Sequence, residues 1–175
     1  MLKFFAQKTV LVSTAFFMSI MFIIVMFFVN PLIDSGHGLS VISLQLSFDK
    51  NIGLKILDAW GDKGITNFKQ WIFTDYIYAI SYSLFFASFL SFLIVKKGKE
   101  KSSSYRRLIY LAFIAGLFDC IENTMQLFFV NNPIHYSESL FFIHSIISSV
   151  KWIALPTLLI AIGMLLSQKN SSKRH

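Results

Sequence analysis

Apolar residues run in four long stretches, about 10 to 30, 71 to 95, 107 to 130 and 139 to 167, each bounded by charged or turn-forming residues. Roughly 20 apolar residues carry a helix across the hydrocarbon core of a bilayer. The pattern therefore predicts four transmembrane helices in an all-α fold, an integral membrane four-helix bundle. Between the first two stretches, Ile52, Ile56, Leu57 and Trp60 recur at helical spacing and Gly61 follows as a stop. That spacing predicts a short interfacial helix within the 31–70 loop, either packed on the rim of the bundle or closing over a pocket. Trp60 and Trp71 fall where an interfacial aromatic belt is expected.

The polar positions inside the stretches are as ordered as the apolar ones. At 100° per residue, Ala112, Ala115, Gly116, Asp119, Glu122, Asn123 and Gln126 of the third stretch share one arc of roughly 120°. The small residues let a neighbouring helix approach, and the polar ones follow from mid-membrane outward. The fourth stretch puts His144, Ser148 and Lys151 on one face, with Pro156 after them as the place for a kink. The second puts Asp75, Tyr78, Tyr82 and Phe86 on one face. A charge at bilayer centre costs about 2.5–3.5 kcal/mol even on lenient insertion scales, so these groups are expected to face one another. Lys151 is expected to pair with Asp119 or Glu122.

Three carboxylates against one lysine would leave two negative charges uncompensated if all were ionised. Either a carboxyl holds a proton, which suits a general acid or proton carrier, or a cationic ligand group sits among them, or Asp75 lies near enough to the interface to be hydrated.

Charge sets the expected orientation. Lys96, Lys97, Lys99, Lys101, Arg106 and Arg107 face only Glu100 between the second and third stretches, and Lys169, Lys173 and Arg174 close the chain. The 31–70 loop balances Lys50, Lys55, Lys63 and Lys69 with Asp34, Asp49, Asp58 and Asp62, and the 131–138 turn has no Lys or Arg. Both termini are thus expected in the cytoplasm, with Lys3 and Lys8 agreeing, and the protein in a bacterial cytoplasmic (inner) membrane. The first stretch is too long for a signal peptide, and Asn30-Pro31-Leu32 offers no cleavage site, so it is expected to remain as an anchor.

Composition supports this picture and narrows it. A 175-residue chain with 55% hydrophobic and 14% charged residues and a mean hydropathy of +0.62 is too apolar for a soluble domain of its length. No Gly/Ser-rich or Pro-rich linker divides it, so residues 1–175 are one domain. The net charge of +7 is topological rather than a nucleic-acid stripe. The single Cys120 rules out a disulfide framework and the four-helix thiol oxidoreductases, which need cysteine pairs. His135, His144 and Glu122 lack metal-ligand spacing, and no phosphate-loop or dinucleotide fingerprint occurs, so neither metal nor cofactor is expected. Ser148 with Lys151 has the elements of a serine-lysine dyad, although serine is common at helix contacts.

The run Asp119-Cys120-Ile121-Glu122-Asn123, followed by Lys151-Trp152 and preceded by Trp60-Gly61, resembles a group of small four-span bacterial membrane proteins. The resemblance implies these positions and no particular reaction. A looser likeness is to the sterol-isomerase-like membrane fold, in which intramembrane acids and aromatics, here the acids with Tyr78, Tyr82 and Trp152, surround an amine- or carbocation-bearing lipid. No motif of that fold is matched, and Lys151 departs from it.

Three functions fit. The first is a membrane pocket, open to the outer leaflet, that binds or modifies a lipid-like or isoprenoid molecule. There Asp119, Glu122 and Lys151 would be the catalytic groups, and Asp75, Tyr78, Tyr82, Asn123, Gln126, His144, Ser148 and Trp60 the ligand-binding ones. The second is an interaction, immunity or accessory protein whose buried cluster only fixes helix register. It would engage a membrane-protein partner or a second copy of the chain. The third is a small proton- or cation-coupled transporter.

Overall fold

The computed structural model describes residues 1–29 and 41–168. Asn30, Pro31, Leu32, Asp34 and the terminal Lys169, Lys173 and Arg174 lie outside the described residues. Within them the fold is all-helical: α1 (Leu2–Phe5), α2 (Lys8–Ile23) running into a π-helical segment (Ile24–Val29), α3 (Val41–Gln45), α4 (Lys50–Lys96), α5 (Ser103–Asn131) and α6 (Glu138–Ser167). Four of these helices are long and apolar enough to cross a membrane, as expected of a multi-pass membrane protein.

Local chemistry explains the boundaries. Asp49 caps α4 by accepting from the Asn51 amide at 2.8 Å, and Ser137 caps α6 by accepting from Leu140 at 3.2 Å. Helix α4 is two helices joined at Gly61, whose φ of 61° and ψ of −177° belong to a region open essentially to glycine alone. The expected short helix is therefore present as residues 50–60, and Gly61 ends it. Its inward face differs from the expected one in one position: Ile52 is exposed, and Gly53 takes its place, buried against the rings of Phe141 and Phe129. A larger residue than glycine could not sit so close to those rings.

The second stretch was expected to begin at Trp71, but the helix begins at Asp62. Asn67, Lys69 and Gln70 are polar yet helical, so hydropathy marks only the apolar part of a longer rod. Trp60 and Trp71 do not form an outward belt. They are 5% and 6% exposed and both pack on Phe68, at ring separations of 4.9 and 5.6 Å. Helix α6 continues through Pro156 as one helix.

α4, α5 and α6 pack on one another, and α2 lies against α4. Buried apolar side chains form two layers. One, toward the Lys96–Ser103 end, holds Phe86, Leu90, Leu93, Ile94, Ile109, Ala112, Leu158 and Leu165. The other, toward residues 41–60, holds Leu44, Ile56, Leu57, Trp60, Phe68, Trp71, Ile72, Phe129, Tyr136 and Phe141. The buried acidic, amide, histidine and lysine side chains of α4, α5 and α6 occupy the level between them.

Candidate functional site

Close approach of α4 and α5 positions the first part of the site. A Cβ on Gly116 would lie 2.8 Å from Ser83 Cβ and 3.1 Å from the Ala79 carbonyl oxygen, so only glycine allows this contact. Ser83 donates to the Ala112 carbonyl at 2.8 Å. One turn further along, the Tyr82 hydroxyl reaches the Asp119 Oδ2 at 2.9 Å and the Ala115 carbonyl at 3.2 Å. Tyr78, Tyr82 and Phe86 stack edge to face along α4, as their shared face predicts.

α6 supplies the cation. Lys151 Nζ lies 2.9 Å from Asp119 Oδ1 and 2.6 Å from Glu122 Oε2, so the lysine engages both carboxylates rather than one. All three side chains are at most 5% exposed, and in such surroundings an ion pair holds together only with good geometry. Its other flank is the Trp152 ring, 5.4 Å from the ammonium. Asp75 stands apart from the lysine and accepts from Asn123 Nδ2 at 2.9 Å.

Gln126 continues the network toward the 41–60 end. Its Nε2 donates to Glu122 Oε1 at 2.9 Å and sits 3.2 Å from His144 Nε2. Accepting that hydrogen makes His144 the tautomer protonated at Nδ1. The Ser148 hydroxyl donates to the His144 carbonyl at 3.0 Å, and Lys151 is held by two carboxylates, so the dyad has neither a poised nucleophile nor a free amine. Asn123 Oδ1, Gln126 Oε1 and His144 Nδ1 are buried with no hydrogen-bond partner among the described residues.

Asp75, Tyr82, Asp119, Glu122, Asn123, Gln126, His144, Ser148 and Lys151 are thus brought together, with half-buried Tyr78 at the margin. Trp60 is placed in the apolar layer beside them instead. His135 lines a separate shallow groove of about 350 Å³ with Met125, Phe128, Asn132, Tyr136 and Leu140. Burial of Tyr136 pushes its hydroxyl up to about 12.

Sequence reasoning missed two residues. Gln45, the last residue of the short α3, is buried and accepts from Trp152 Nε1 at 3.0 Å. Ser145 accepts from the Phe48 amide at 3.2 Å. A lone glutamine inside the apolar run 41–48 was the available signal.

Tyr82→Phe removes the donor to Asp119 Oδ2 and leaves that oxygen buried. The expected loss is about 1–3 kcal/mol of stability, read from unfolding in detergent. An unchanged midpoint would mean that the hydroxyl does not serve Asp119.

No family model, curated protein or solved structure matches the chain.

Proposed function

We propose that this chain is a bacterial inner-membrane protein, both termini cytoplasmic, whose polar layer receives a lipid-like or isoprenoid molecule from the outer leaflet. The basic Lys96–Arg107 connection and the 131–138 turn, which has no Lys or Arg, support the orientation. The observation that carries the ligand reading is imbalance. Three buried carboxylates meet one lysine, and three further buried polar atoms go unpartnered. A cluster serving only to lock helices is expected to be neutral and satisfied, because each orphaned polar atom or unpaired charge costs stability. A ligand head group bringing hydrogen-bond donors or positive charge would offset both deficits, while its apolar remainder lay among Trp152, Tyr78 and lipid.

If the molecule is also modified, Glu122 or Asp119 is the acid or base, and Lys151 holds an anionic group or tunes the carboxyl. Glu122→Gln preserves shape and the acceptor for Gln126. In cells it should abolish a lipid change detectable by mass spectrometry between the native and deletion strains, while the protein stays folded and abundant. Lipids identical in all three strains would refute the reading.

One observation favours a second reading, a non-enzymatic interaction or accessory protein. The contacts of 2.6 and 2.9 Å around Lys151 are those of a firmly paired structural ion triad. In that case the lipid profile is indifferent to Glu122, and only stability responds.

A further inference from the structure

The polar layer is covered on one side by a segment whose construction differs from the rest of the bundle. Residues 41–60 lie at the edge where α4 and α6 meet. Leu44 is fully buried in the apolar layer with Ile56, Leu57 and Trp60. Gln45 reaches the Trp152 indole at 3.0 Å, which sets it at the level of Lys151 along α6. Further along, the Phe48 amide bonds Ser145 at 3.2 Å and its ring meets Phe142 at 5.7 Å. Lys50 Nζ donates to the Ile134 carbonyl at 3.0 Å. The segment therefore climbs α6 from the depth of the ion triad to the α5–α6 turn.

We infer that residues 41–60 are a displaceable plug, jointed at Phe48 and Gly61, whose withdrawal opens the Asp119–Glu122–Lys151 layer toward the outer leaflet. The inference rests on the pocket reading proposed above and supplies the entry that reading requires. Both joints have left-handed φ, 55° at Phe48 and 61° at Gly61. Glycine accepts such a conformation freely, but a bulky residue does not, so the seated plug carries strain at Phe48 that withdrawal releases. Its polar attachments to α6 include the side-chain-mediated bonds at Gln45 and Phe48, which are not part of a helical ladder. α3 has five residues, too few to hold a helix without its packing. Losing the Gln45 contact leaves Trp152 Nε1 without that acceptor, beside a ring that flanks the Lys151 ammonium at 5.4 Å.

The test uses the full chain in nanodiscs of phosphatidylethanolamine and phosphatidylglycerol, with Cys120→Ala removing the native thiol. Ser148→Cys reports from the buried face of α6 beside the triad. Ser91→Cys reports from an equally buried position toward the other end of α4. N-ethylmaleimide labelling of the Ser148→Cys thiol should rise at least ten-fold when Gln45→Ala or Leu44→Ala is added, with the Ser91→Cys thiol unchanged. No acceleration at 148, or equal acceleration at both, overturns the plug. Hydrogen–deuterium exchange of the chain with only Cys120→Ala gives a second reading. Amides of 41–60 should exchange at least ten-fold faster than those of residues 109–126, and equal protection overturns the proposal. Labelling unmoved while Glu122→Gln still abolishes a lipid change would sink the plug and leave the pocket. Accelerated labelling with lipids indifferent to Glu122 would do the reverse.

Discussion

Lys151→Met is expected to lower the stability of the folded chain by about 3–5 kcal/mol. Methionine matches lysine in length and apolar bulk, so the change removes charge and donors without opening a large cavity. What remains is Asp119 and Glu122, both previously within 3 Å of the ammonium, facing one another in a layer sealed between two apolar ones. Asp75 adds a third carboxyl on α4. The loss should appear as a lower unfolding midpoint and a shorter half-life in detergent, with secondary structure preserved below the midpoint. The decisive comparison is Lys151→Met combined with Asp119→Asn and Glu122→Gln. Neutral amides of the same shape leave no orphaned charge, and most of the lost stability should return. A single Lys151→Met variant as stable as the native protein would mean that the lysine is not what holds the two carboxylates together.

The four long helices and the polar stripes were legible in the sequence for one physical reason: lipid penalises misplaced polarity, so what stands inside an apolar stretch is informative. The α5 stripe from Ala112 to Gln126 folds inward as its arc predicts. Partner choice was less legible. The depth of Lys151 pointed to Asp119 or Glu122, and the lysine takes both, while Asp75 is buried and bonds Asn123 instead of lying hydrated at the interface. Those outcomes depend on distances between helices, of which Gly116 and Ser83 set the α4–α5 one, and not on any one helix. The expected belt of Trp60 and Trp71 failed for a related reason: position along the chain suggests an interface, but Phe68 gives both rings a buried surface to cover. Gln45 offered only its own polarity as a signal, because a helix of five residues holds little more than one turn, and one turn shows no periodicity. The elements that were misread are those of the 41–71 region, where burial comes from tertiary contact rather than from hydropathy.

Gly116→Leu should separate α4 from α5 and cost the site its geometry. Even the first added atom would lie 2.8 Å from Ser83 Cβ, 2.9 Å from Ser83 Oγ and 3.1 Å from the Ala79 carbonyl. A serine side chain can turn away, but a helix backbone cannot, so the whole α4–α5 contact must widen. Overpacking of this kind costs about 1–3 kcal/mol. Here it also endangers the bonds from Ser83 to Ala112 and from Tyr82 to Asp119, each worth about 0.5–1.5 kcal/mol, or more where the acceptor is charged. A total near 3–5 kcal/mol is therefore expected, and Gly116→Ala should show a smaller part of it. Gly163→Leu on α6 is the control, because a Cβ there meets nothing within 4 Å and the substitution should leave the unfolding midpoint in place. If Gly116→Leu proved as mild as Gly163→Leu, α4 and α5 would not be in close contact at this level. Tyr82 could then no longer be the group that fixes Asp119 beneath Lys151.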